Sequence, residues 1–215
     1  MYKLQQIDLH TDSFFAGMLF PFVDEGKLFL LVLSTKNKYN PSQPNIKFPG
    51  GTGDRKYSKG EVYLERLEEI LTTLSFDRIA TLKVLNQEYD RRAEFMDHPE
   101  QKRAMWILQT LVLECLESTG YYPADISPWV VDVVERSDNH YQYFLEITEL
   151  WDKNAEAVKI PQQDESFTPI DQDVISSREK MPIMDFEEIL IDSHKRPVEF
   201  YIEHLKSKAG GAGEE

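Results

Sequence analysis

The chain has a single cysteine, Cys115, so it can form neither an internal disulfide nor a cysteine-rich zinc site. It has no apolar run approaching the ~18–20 residues that a membrane-spanning helix needs. Its first residues, MYKLQQIDLHTD, lack the apolar centre of a secretion signal. These absences predict a cytoplasmic location and no membrane partner. Positive charge is scarce too: 24 Lys and Arg stand against 38 Asp and Glu, for a net charge of −14. That average field repels a polyanion and disfavours polymeric nucleic acid as a partner. A small phosphorylated ligand stays open, because a divalent cation can invert the local sign.

What is present suits one domain, or one domain carrying a sizeable insertion. The chain has 215 residues, 41% of them hydrophobic and 12% aromatic, which is enough for a packed core. SFFAGMLFPF, from Ser13, and KLFLLVLST, from Lys27, are apolar and β-prone, and VDEG between them predicts a hairpin. Ile46-Lys47-Phe48 is a short extended segment. From Lys59 to about Met96 the period becomes helical, and two amphipathic helices are expected. The first places Val62, Leu64, Leu67, Ile70, Leu71 and Leu74 near one face, and the second repeats the period with Ile79, Leu82, Leu85 and Tyr89.

Asp97-His98-Pro99 reads as a fresh helix start, and the helix it opens should bury Ala104, Leu108, Leu111, Val112 and Cys115 and stop at Gly120. Trp129 to Leu150 reads as two strands joined at Ser137 to His140. Lys153 to Lys180 reads as loop, Pro182 to Leu190 as a short segment, Pro197 to Leu205 as a last helix, and AGGAGEE as a flexible tail.

Two stretches carry potential chemistry. In NIKFPGGTGD, Asn45 to Asp54, paired glycines after proline are turn chemistry that also lets backbone lie close to a ligand. In LECLESTG, Glu114 and Glu117 are three apart and so project from one helical face. A hard divalent cation relieves their repulsion, and Mg²⁺ typically takes one or two carboxylates with waters and phosphate oxygens. A solvated acidic face is the alternative.

A strand ending in PGG, followed by a helix ending in E-x-x-E-x-x-G and then strands, resembles the Nudix hydrolase family, whose box is G-x5-E-x7-R-E-U-x-E-E-x-G-U. In that resemblance Gly51 matches the first glycine, and Glu114 the Glu after the arginine. Glu117 matches the first paired Glu, Gly120 the closing glycine and Tyr121 the last apolar position. Leu113 stands at the arginine position and Ser118 at the second paired Glu, while the first Glu has no clear counterpart. A second register places Glu65, Glu68 and Glu69 in the box with Gly50 as the first glycine.

The resemblance implies an α/β/α sandwich with a mixed sheet over residues 1–208, a helical insertion at about 52–98 and a tail at 209–215. It implies hydrolysis of a nucleoside diphosphate linked to another moiety, with Mg²⁺ or Mn²⁺ held by Glu114, Glu117, the Gly51 carbonyl and Ser118. A domain of this kind that binds a ligand or a protein without hydrolysing it is the alternative, and an unrelated acidic α/β scaffold is a third reading. The loop Gln162 to Glu165 could supply a missing acid or base, Lys36, Lys38 and Lys47 could meet phosphate, and the insertion could serve as lid, homodimer contact or partner surface.

Overall fold

Side chains alternate across a β-strand, and the apolar strand Phe14–Leu19 (β2) is apolar on both of its faces. Phe14, Ala16 and Met18 belong to one core cluster, while Leu19 belongs to another, with Phe15 packed beside it. A strand so built must be covered on both sides. The computed structural model, which describes residues 2–3, 13–40, 42–96, 101–137, 140–162, 169–170 and 175–211, supplies that cover.

Tyr2–Lys3 (β1), Tyr122–Ser137 (β7), His140–Trp151 (β8), β2 and Gly50–Thr52 (β6) form a five-stranded sheet in the order β1-β7-β8-β2-β6. The β2–β8 pair is parallel and its neighbours are antiparallel, so the sheet is mixed. A second sheet forms around Lys27–Thr35 (β4). Pro21–Asp24 (β3) and Asn45–Lys47 (β5) lie along one edge of β4, and Ile175–Pro182 (β9) along the other.

Helix Lys102–Thr119 (α3) packs Ala104, Leu108, Leu111 and Cys115 on one face of the larger sheet, against Phe14, Met18, Tyr143, Leu145 and Ile147. Helix Asp192–Gly211 (α5) packs Val198 and Tyr201 on the other, against Leu19, Val131 and Phe144. The chain is therefore a mixed α/β structure with helices on both faces of its sheet. A short helix, Phe186–Ile189 (α4), leads into α5.

Helices Gly60–Thr73 (α1) and Arg78–Met96 (α2) cover the remaining side of α3. Tyr63, Leu67, Ile70 and Leu71 of α1 and Ala80 and Val84 of α2 meet Val112, Leu113 and Leu116 of α3, with Tyr122 and Trp151. Fully burying each large apolar side chain contributes roughly 1.5–3 kcal/mol, so this helical pair is joined to the core. A polar group completes the joint. Glu88, buried entirely, accepts hydrogen bonds from Tyr63 Oη at 2.7 Å and Tyr122 Oη at 2.6 Å and is ion-paired to Arg91. Arg91 also donates to the carbonyls of Pro123 and Ala124.

That polar joint overturns the expected orientation of α2 at three of its four residues, Leu85 alone packing inward. Ile79, Leu82 and Tyr89 are 79%, 51% and 57% exposed, because the face that docks carries Ala80, Val84 and Glu88. The loop expected over Lys153 to Lys180 yields strand β9 from Ile175. Its sequence, ISSREKMP, is mostly polar, and its pairing along β4 makes it a strand. β7 starts at Tyr122 and not at Trp129. α5 starts before Pro197 and reaches Gly211, into the stretch expected to be tail, while 212–215 lie outside the described residues. Asp97-His98-Pro99 also lies outside them, and α3 begins at Lys102. It ends, as its sequence suggests, on Gly120 at φ 72° and ψ 5°. No helix among the described residues is long and apolar enough to cross a membrane.

Candidate functional site

The PGG turn is held from three sides. Phe48 N–H donates to Nδ1 of buried His194 at 2.8 Å, Met18 N–H donates to Pro49 O at 2.9 Å, and β6 pairs with Phe15–Gly17 of β2. His194 sits among the rings of Phe15, Phe48 and Phe144. Because Nδ1 accepts, the ring is held with its proton on Nε2. Gly50 has φ 149°, a backbone conformation closed to ordinary side chains, and any Cβ there would strike the Ala16 carbonyl. A Cβ on Gly51 would fall on the carboxylate of Glu114. The close approach therefore brings a strand backbone against an acidic side chain of α3.

Glu117 lies one turn on from Glu114 and beside the same cleft. A cavity of about 280 Å³ touches Lys47, Gly50, Arg66, Glu114, Glu117 and Ser118. A second, of about 310 Å³, adjoins it across Arg66, Glu114 and Glu117 and is walled by Asp54, Lys56 and Thr110. Ser118 is buried, and its hydroxyl donates to the Glu114 carbonyl at 2.5 Å, the usual back-bond of a helical serine. The structure thus brings Gly51, Glu114, Glu117 and Ser118 to one place, with Lys47 at its edge. Lys36 and Lys38 are exposed. Glu65, Glu68 and Glu69 line an open depression on the outer side of α1 with Thr72 and Thr73. Residues 163–165 lie outside the described residues.

Arg66 is the residue that the sequence pattern does not single out. Its Nη2 donates to Glu117 Oε1 at 2.7 Å and its Nη1 to Glu69 Oε2 at 3.1 Å. Desolvation works against the Arg66 charge, and its hydrogen bonds to Glu117 and Glu69 outweigh that, leaving its pKa raised. Leu113, at the position of the family's arginine, is buried against α1 and α2. The helical pair covers that side of α3, so an apolar residue suits position 113, and the guanidinium beside Glu117 arrives from α1.

The donors at the cleft are hard oxygens. Two carboxylates suit one Mg²⁺ or Mn²⁺ ion whose remaining ligands are water and phosphate oxygens. No group of three or more His, Cys, Asp or Glu converges among the described residues, so the protein's own share of such a shell is small. Arg66 already neutralises part of Glu117. The residues fit a cation held jointly with an anionic ligand.

No family profile and no curated protein matches the chain. Among solved structures it is similar to the NUDIX domain of Shewanella oneidensis NrtR complexed with ADP ribose, at TM-score 0.43 and 15% identity over 89% of this chain and 87% of that one. It is similar to a MutT NUDIX hydrolase from Burkholderia pseudomallei, at TM-score 0.43 and 12% identity over 86% and 96% of the two chains. Shewanella oneidensis NrtR complexed with a 27mer DNA gives TM-score 0.46 and 14% identity over 91% of this chain and 63% of that one. Similarities at this level leave ligand and activity to be read from the cleft itself.

Proposed function

We propose that the chain is a Nudix-type hydrolase that cleaves the pyrophosphate bond of a nucleoside diphosphate linked to another moiety. The observation that supports this most is the approach of the Glu114 carboxylate to Gly51, with Glu117 beside it at the junction of two polar cavities. Glu114 and Glu117 would hold Mg²⁺ or Mn²⁺, with the Gly51 carbonyl and, through water, Ser118 as further donors. Such a cation, when bound, neutralises pyrophosphate oxygens and activates water. Without it, the carboxylates repel a phosphate chain and the ligand is excluded. Arg66 offsets part of that repulsion and orients Glu117, while Lys47 offers a further positive charge at the cavity edge. The PGG turn holds the Gly51 backbone against the Glu114 carboxylate, the two groups that would share such an ion.

A second reading is binding without cleavage. The Arg66–Glu117 ion pair favours it, because a guanidinium already holds one of the two carboxylates, and a serine replaces a third. Assays of nucleoside diphosphate sugars, dinucleoside polyphosphates and nucleoside triphosphates with Mn²⁺ separate the two. The hydrolase reading expects product from at least one class. Calorimetric binding with no product in any class would establish the binding reading instead.

A further inference from the structure

Resting on that cation–phosphate site, we propose that the cavity on the α1 side of Glu114 and Glu117 is a second subsite, which takes the terminal phosphoryl group of a linear polyphosphate chain. Two donors that find no partner among the described residues belong to residues that wall it, Arg66 Nε and Thr110 Oγ1. Thr110 is 3% exposed. A helical threonine ordinarily donates to the carbonyl four residues back. Thr72, Thr73 and Thr119 all do so, to Glu68, Glu69 and Cys115, and Thr110 does not. A buried hydroxyl without an acceptor is destabilising, and an incoming acceptor removes that penalty.

A phosphoryl group matches these donors because its terminal oxygens only accept. Lys56 adds a cation at the rim, held by Asp54 at 2.9 Å. The charges around the cavity are Lys56 and Arg66 against Asp54, Glu114 and Glu117. A divalent ion turns that balance positive, so the subsite opens to phosphate only when the central site is loaded. The walls contributed by the Arg55–Ser58 turn and α1 give the helical segment a role in choosing the ligand.

The test titrates the full chain, with Mg²⁺, against pyrophosphate and tripolyphosphate in methylene-bridged forms that resist cleavage. Tripolyphosphate should bind about tenfold more tightly, the size of one charge-assisted hydrogen bond. Thr110→Val should remove most of that advantage and leave pyrophosphate affinity and the Mg²⁺-induced melting shift unchanged, while Thr110→Ser should retain it. Without ligand, Thr110→Val should melt no lower than wild type. Equal affinities in wild type, equal weakening of both ligands by Thr110→Val, or a lower ligand-free melting temperature overturns the subsite. Pyrophosphate binding with no tripolyphosphate advantage overturns the subsite alone and leaves the central site standing. No binding of either chain by wild type overturns both.

Discussion

The guanidinium of Arg66 on α1 meets the carboxylate of Glu117 on α3 across 2.7 Å, with 32% of one side chain and 21% of the other exposed. This pair joins the helical segment to the acidic cleft and sets a cation where a metal would compete. Arg66→Met should strengthen the Mg²⁺-induced rise in melting temperature, because Glu117 loses its internal counter-charge. It should weaken phosphate-ligand affinity roughly tenfold in the presence of Mg²⁺. At this exposure the pair's own contribution to stability is about 1 kcal/mol or less. Melting and calorimetry on the same variant check both directions. A metal response equal to that of wild type would place Glu117 outside the cation site.

The two glycines of the PGG turn should respond differently. A Cβ at Gly50 meets backbone, the Ala16 carbonyl, in a region of φ that ordinary residues avoid. Gly50→Ala should lose roughly 2–4 kcal/mol. At Gly51 the obstacle is the end of the Glu114 side chain, which can swing away. Gly51→Ala should lose about 1 kcal/mol or less in denaturant unfolding and still diminish the metal response, since Glu114 is displaced. Equal losses at both positions would contradict this geometry.

The joint at Glu88 should be strongly coupled. Glu88→Ala leaves buried Arg91 without its partner and should cost about 3–5 kcal/mol. Two tyrosines of that joint, with Cys115 on the sheet side of α3, set an alkaline limit. Burial raises the Tyr63 and Tyr122 pKa values well above 10.0, and it pushes the Cys115 thiol up from 9.0 to about 12. Their folded pKa values exceed the unfolded ones. This contribution is therefore fully present below about pH 9 and is lost as pH rises, by up to ~1.4 kcal/mol per pH unit for each group. Unfolding followed from pH 8 to 11 should fall in stability, and Cys115→Ala should flatten the part that begins near pH 9. A flat profile would contradict the burial of all three.

Much of this architecture is legible in the sequence where apolar residues keep a clear period. The β3–β4 turn, the buried stripe of α3 and its Gly120 cap follow from alternation, spacing and turn chemistry. The apolar run expected to form one arm of the hairpin is split, however, and β2 joins the other sheet. The inner face of α2 is not legible, because it docks through Glu88 and Arg91 and leaves Ile79, Leu82 and Tyr89 outside. A hydrophobic pattern points the wrong way when a buried polar group makes the contact. β9 is hidden for a related reason: its strand comes from backbone pairing with β4, and little in ISSREKMP announces it. In the cleft, Gly51, Glu114, Glu117 and Ser118 can be named from motif order. Arg66 and Thr110 cannot, since their importance lies in what they face across space.

The central claim is that Glu114 and Glu117 hold a divalent cation beside Gly51, and the most direct measurement is the melting temperature with and without millimolar Mg²⁺ or Mn²⁺. Preferential binding to the folded chain adds RT ln(1 + [L]/Kd) to its stability and so raises that temperature. The account predicts a rise in wild type that disappears in the double variant Glu114→Gln, Glu117→Gln. A double variant that responds to the cation as fully as wild type would contradict it.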